Sequence, residues 1–138
     1  MKGARDLSLG EAEALIANAA RGAGYPWGLA AEAGAAARRL IASGAPGAEL
    51  FAAFLTSVAE DGIGARCPLR EGLHAADLGE APTGPCRWPE VRLAAADPDL
   101  SGPETRCAAP EAALAALEAL AAGVYAPATE ESRRRGAG

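Results

Sequence analysis

Residues 8–43 read SLGEAEALIANAARGAGYPWGLAAEAGAAARRLIAS. Two helix-patterned segments meet there at the turn Arg21-Gly22-Ala23-Gly24-Tyr25-Pro26-Trp27-Gly28, which carries three glycines, a proline and two of the chain's four Tyr or Trp residues. Ser8-Leu9-Gly10-Glu11 has the spacing of a capping box. In that motif the Ser8 hydroxyl accepts from the Glu11 amide and the Glu11 carboxylate accepts from the Ser8 amide; the cap alone is worth about 1 kcal/mol. Ala12, Leu15, Ile16, Ala19 and Ala20 recur at helical spacing and predict a first helix over 9–21. Gly22 and Gly24 follow where a left-handed C-cap wants glycine. Pro26, with φ preset and no amide hydrogen, suits the first position of a second helix. Leu29, Ala33, Ala36, Ala37, Leu40 and Ile41 form that helix's apolar stripe, and Ser43-Gly44-Ala45-Pro46-Gly47 closes it. Gly28, Ala31 and Ala35 lie near one line along it, with Gly34 beside them. Residues this small let another backbone come close.

A third helix is predicted over 47–60, with Leu50, Phe51, Phe54, Leu55 and Val58 on one face and Asp61-Gly62 ending it. Three consecutive helices with short joints imply an antiparallel bundle over 8–62. From 63 to 109 proline and glycine punctuate the chain. Leu69–Leu78 has the pattern of a short helix, and Arg87–Ala94 alternates enough for one strand, which Pro89 would confine to a sheet edge. A last helix is predicted from Pro110 to about Ala122, within a segment 110–124, and 125–138 reads as a mobile tail ending in the Arg133–Arg135 run. The expected fold is therefore a single, mainly α domain: a small helical bundle with an irregular middle holding one or two short strands, α+β being the alternative.

The 138-residue chain suits one domain. Its 50% hydrophobic content is largely alanine, since Leu, Ile, Val and Phe together make only 23 residues. The expected core is thin, and a second copy or a partner protein would relieve it. A net charge of −5 argues against nucleic-acid binding, which needs a positive footprint. No N-terminal apolar run reads as a signal peptide and no apolar span reaches bilayer length, so the expectation is a cytoplasmic protein without membrane contact. Cys67, Cys86 and Cys107 are widely spaced and odd in number, as expected of reduced thiols.

The run from Ser8 through Gly34 resembles a bacterial family of uncharacterised proteins, domain of unknown function 3726, most clearly over 8–43. Cys67-Pro68-Leu69 and Tyr125–Arg133 are similar to it as well, while the Arg133–Arg135 run departs from the pattern. The resemblance implies no activity, substrate, cofactor or catalytic residue.

For function, the turn is the densest candidate. Arg21 sits in the last turn of the first helix, where a cation suits the helix dipole. Tyr25 and Trp27 offer flat apolar walls, the first amides of the second helix near Gly28 can face an anion, and Glu32 can pair with Arg21 or a ligand cation. With Gly24, these residues outline a ligand-binding notch for a small anionic metabolite. The competing structural reading is a rigid corner with Trp27 buried as core anchor and Arg21 bridged to Glu32. His74 with Cys67, Cys86 and Cys107 lacks the paired spacing of a zinc site, so no metal or other cofactor is assigned. Cys67 or Cys86 beside His74 would be the pair for nucleophilic catalysis. Arg38 and Arg39 on the second helix invite a DNA reading, which the long joining turn and the acidic total oppose. The leading expectation is a non-catalytic accessory subunit or small-molecule-binding module using the Arg21–Glu32 corner. The alternatives are a small enzyme combining that corner with Cys67 and His74, and a purely structural interaction module.

Overall fold

The computed structural model describes residues 3–64 and 66–124; the predicted tail and the Arg133–Arg135 run lie outside them. In chain order the elements are β1 (Ala4–Ser8), α1 (Leu9–Ala23), α2 (Trp27–Ala42), α3 (Gly47–Asp61), α4 (Pro68–Leu78), α5 (Pro89–Ala96), β2 (Arg106–Pro110) and α6 (Glu111–Ala122). The domain is mainly α with a small β component. None of the described helices is long and apolar enough to cross a membrane.

Ser8 caps α1 through both halves of the capping box, at 2.9 and 3.0 Å. The Ser8 backbone amide holds the Glu11 carboxyl below the usual carboxylate range. Ahead of this cap, β1 pairs antiparallel with β2 in a register running from Ala4 opposite Pro110 to Ser8 opposite Arg106. The two-stranded sheet ties the start of α1 to the start of α6. Arg106 bridges Asp6 at 2.9 Å, and Arg5 reaches Glu118 of α6 at 2.9 Å. Neither strand has a strong local signature, because each is five residues long and Cys107 and Ala109 are the only buried side chains of β2.

The helices pack on alanine and glycine. Gly34 of α2 is buried against α1, where a Cβ would lie 2.7 Å from the Glu13 carbonyl oxygen and 3.1 Å from the Ala17 methyl. Gly22 belongs to the last turn of α1 rather than to its cap, so α1 runs two residues beyond the predicted end. A side chain at Gly22 would meet the Leu120 carbonyl of α6.

The middle segment is more regular than its proline and glycine content suggests. The predicted helix over 69–78 is α4, one residue longer at its start. The predicted edge strand over 87–94 is instead α5. Val91, Ala94 and Ala95 are buried at helical spacing while Leu93, half of the apparent alternation, is exposed, and Pro89 occupies the first helical turn, where its missing amide hydrogen costs nothing. Phe54 of α3 sits at the centre of the core. Its ring lies edge-on to Phe51 at 5.9 Å and to Trp88 at 5.6 Å, and at 6.3 Å from Tyr25.

Close approach at Gly34 makes a sign test available. Gly34→Ala is expected to destabilise by about 1–3 kcal/mol through overpacking. Gly28→Ala, on an open surface with no atom near its Cβ, is expected to leave stability unchanged or raise it by up to about 1 kcal/mol. Urea midpoints of the two variants check this; equal effects would refute the packing assignment.

Candidate functional site

The corner between α1 and α2 is fixed first by backbone. Gly24, at φ 122°, ends α1. Its amide donates to the Arg21 carbonyl at 3.1 Å and the Tyr25 amide to the Ala20 carbonyl at 3.0 Å, the paired pattern of a Schellman motif. Tyr25 then turns inward and Pro26 lies extended, its carbonyl accepting from Ala30 at 2.9 Å as the N-cap of α2.

Of the two aromatic residues expected as ligand walls, with Trp27 as core anchor in the competing reading, the structure buries Tyr25 instead. Tyr25 has no exposed surface, whereas Trp27 is 59% exposed. The anchor of the corner is therefore Tyr25, and Trp27 is not a core residue. One position apart from Pro26 on either side, the two side chains leave in opposite senses. Tyr25 takes the inward place beside Phe54, and Trp27, in the first turn of α2, falls on the solvent face. Tyr25 cannot serve as a ligand wall; its hydroxyl meets the Cys67 thiol at 3.1 Å in the core. Burial raises the Tyr25 phenol far above its usual range, and the Cys67 contact adds to the rise.

Arg21 stands over the Trp27 ring, 4.8 Å from its centroid, and its Nη1 donates to the Tyr25 carbonyl at 2.9 Å. The expected Arg21–Glu32 ion pair does not form among the described residues; Glu32 is exposed farther along α2. The guanidinium is instead committed to the end of α1 and to the indole, and its Nε is shielded without a partner. Gly24 and Gly28 are exposed beside Trp27. The corner thus presents an exposed indole with a guanidinium stacked against it.

Three grooves, of about 320, 210 and 360 Å³, are lined by other segments, and none of the three includes a residue from 21 to 32. His74 is exposed on the groove of about 210 Å³ with Glu71, Leu78, Thr83 and Arg92. Cys67 is 1% exposed and does not line that groove, so the structure does not assemble the Cys67–His74 pair that catalysis would need. Among the described residues no three His, Cys, Asp or Glu side chains gather closely enough to hold a metal ion. Arg38 pairs with Glu13 at 3.0 Å, and Arg39 donates to the Ala94 carbonyl at 2.8 Å, so both are engaged in joining helices.

Sequence reading missed the cluster built by Arg66, Glu71 and Arg92. Glu71 accepts from Arg66 at 3.0 and 3.1 Å and from Arg92 at 3.4 Å, and Arg92, 8% exposed, also donates to the carbonyls of Thr83 and Gly84. Hydrogen bonding from Arg66 is the main cause that lowers the Glu71 carboxyl. Only the arginine density of the middle segment hinted at it.

The buried phenol has a pH consequence. With its folded-state pKa raised, Tyr25 keeps its proton where the unfolded chain loses one, so its contribution is intact below about pH 10 and declines above it. Chemical denaturation between neutral pH and alkaline pH should therefore show a steeper loss for the wild type than for Tyr25→Phe. At neutral pH the same variant, which leaves the Cys67 thiol unpaired, should cost about 0.5–1.5 kcal/mol. Parallel alkaline slopes would remove Tyr25 as the cause.

No curated protein and no solved structure matches this chain. The model of one family, described as protein of unknown function (DUF3726), matches residues 7–88. That span holds the capped α1, the Schellman turn, the corner, and the Arg66–Glu71 pair. Since the match covers more than half of the chain, the protein belongs to the DUF3726 family.

Proposed function

We propose that this protein is a non-catalytic accessory module of the cytoplasm that docks a partner protein through the Arg21–Glu32 corner. The observation that carries the reading is the exposed Trp27 with the Arg21 guanidinium stacked on its ring. Large apolar side chains are scarce in this chain, and the core takes nearly all of them; Trp27, Leu78 and Leu93 are the large hydrophobics left outside among the described residues. Of these only Trp27 is held by a cation against a rigid turn. A preorganised indole offers large contact area at little entropic cost, which is why tryptophan is frequent among the residues that dominate interface energies.

The exposure of the indole favours a protein over a small metabolite, because a partner surface can cover it on association, whereas the three grooves described above are lined by other segments. The partner is expected to offer an apolar recess for the indole and a carboxylate beside it, since the second terminal nitrogen of Arg21 has no protein partner among the described residues. Glu32, exposed on the same helix, supplies an opposite charge that fixes orientation. The three thiols, none in a disulfide, suit a reducing compartment.

Native mass spectrometry of the protein drawn from its own host, beside the Trp27→Ala and Leu93→Ala variants, tests this. The wild type and Leu93→Ala should carry the same partner at fixed stoichiometry. Trp27→Ala should weaken the complex by at least about 2 kcal/mol, the size expected of an anchoring tryptophan. Its own stability should move by no more than about 0.5 kcal/mol, as expected for an exposed position. A partner retained undiminished by Trp27→Ala, or a wild type that is monomeric and alone, would overturn the reading.

A further inference from the structure

The largest of the three grooves, about 360 Å³, lies where α4 and α5 begin. Arg66 and Glu71 stand on one side, and Pro85, Cys86, Arg87 and Trp88 on the other. Its surface is mostly apolar, yet its charge is positive. Glu71 is shared between Arg66 and the buried Arg92, so one carboxylate answers two guanidinium groups. Arg87 adds a third. It is exposed, lies 5.4 Å over the Trp88 ring, and has no ion-pair partner among the described residues. Glu90, the next acid along the chain, does not line the groove. In a protein of net charge −5 this local surplus is unusual.

The walls are also held in place. Arg92 donates to the Thr83 and Gly84 carbonyls at 3.2 and 2.8 Å, pinning the backbone that leads into Pro85. The Trp88 ring packs against Phe54, their centroids 5.6 Å apart and their planes inclined at 64°. A ligand entering here would meet the Trp88 indole and the Arg87 guanidinium stacked on it, so little ordering remains to oppose binding.

We propose that this groove binds a small organic anion with a flat apolar body, an aromatic carboxylate, its ring against Trp88 and its charge on Arg87 with Arg66 beside it. The pairing follows from chemistry. Guanidinium groups take carboxylates through a planar fork, and an apolar trough excludes small hydrated ions, which would lose their water for no gain. This site is separate from the corner and independent of partner docking.

Cys86 is a built-in reporter. It is half-buried in the groove wall, while Cys67 and Cys107 are 1% and 3% exposed. Thiol exchange at Cys86 can be followed with two probes, the dianionic aromatic disulfide of thionitrobenzoate and the neutral disulfide of thiopyridine. In each case the Cys86 thiolate attacks one sulfur, forms the mixed disulfide and expels one aromatic thiolate, its own proton going to solvent. Arg87→Gln should slow the anionic probe about fivefold, the effect of one charge a few ångströms away, and leave the neutral probe within about twofold. Sodium naphthoate should protect Cys86 from the neutral probe saturably in the wild type and in Trp27→Ala, but not in Arg87→Gln. Equal slowing of both probes, absence of saturable protection, protection that survives Arg87→Gln, or its loss in Trp27→Ala would each overturn the proposal.

Discussion

Phe54 is the ring on which the interior depends. It touches Phe51 within α3, Tyr25 from the α1–α2 turn and Trp88 from the start of α5. With so few large side chains in the sequence, the core cannot be filled by bulk. It is filled by bringing helices close over alanine and glycine and by concentrating aromatic volume in one cluster. Cores built this way rely on backbone proximity, so a single added methyl at a contact such as Gly34 strikes a carbonyl rather than a movable side chain.

The same cluster places both candidate surfaces. Tyr25 fills the inward position at the corner, which leaves Trp27 outside with Arg21 against it. Trp88 packs against Phe54 and also lines the basic groove. Membership of the DUF3726 family rests on residues 7–88, which include the corner and the residues lining the groove, while Arg92, which pins the groove's wall, lies just beyond that span.

Arginine does two kinds of work here. Arg38, Arg39 and Arg92 spend their donors on joining segments of the fold, Arg38 at the surface on Glu13, Arg39 on the Ala94 carbonyl, and Arg92 on Glu71 with two loop carbonyls. Arg21 and Arg87 lie against exposed or half-exposed indoles, where a delocalised, weakly hydrated cation stiffens an aromatic surface. The acidic total conceals this division, since net charge reports the sum and the groove responds to its neighbours.

The sequence by itself determined what short-range physics controls. Ser8 and Glu11 are three residues apart, so their capping box forms from local geometry alone. Gly24 closes α1 because only a residue free of a Cβ takes its φ cheaply, and the apolar periodicity of α1, α2, α3 and α6 survives any neighbour. Tertiary structure decided everything that required knowing who lies opposite. Ala4 and Pro110 pair across more than a hundred residues with no local mark of it. Leu93 and Val91 look equivalent in an alternating run until folding buries Val91 and leaves Leu93 outside. The sequence pointed to Trp27 as the candidate anchor, and only the arrival of Phe54 and Cys67 from other elements gives that place to Tyr25. Burial belongs to the partner surface as much as to the residue, and that surface is assembled only when distant segments meet.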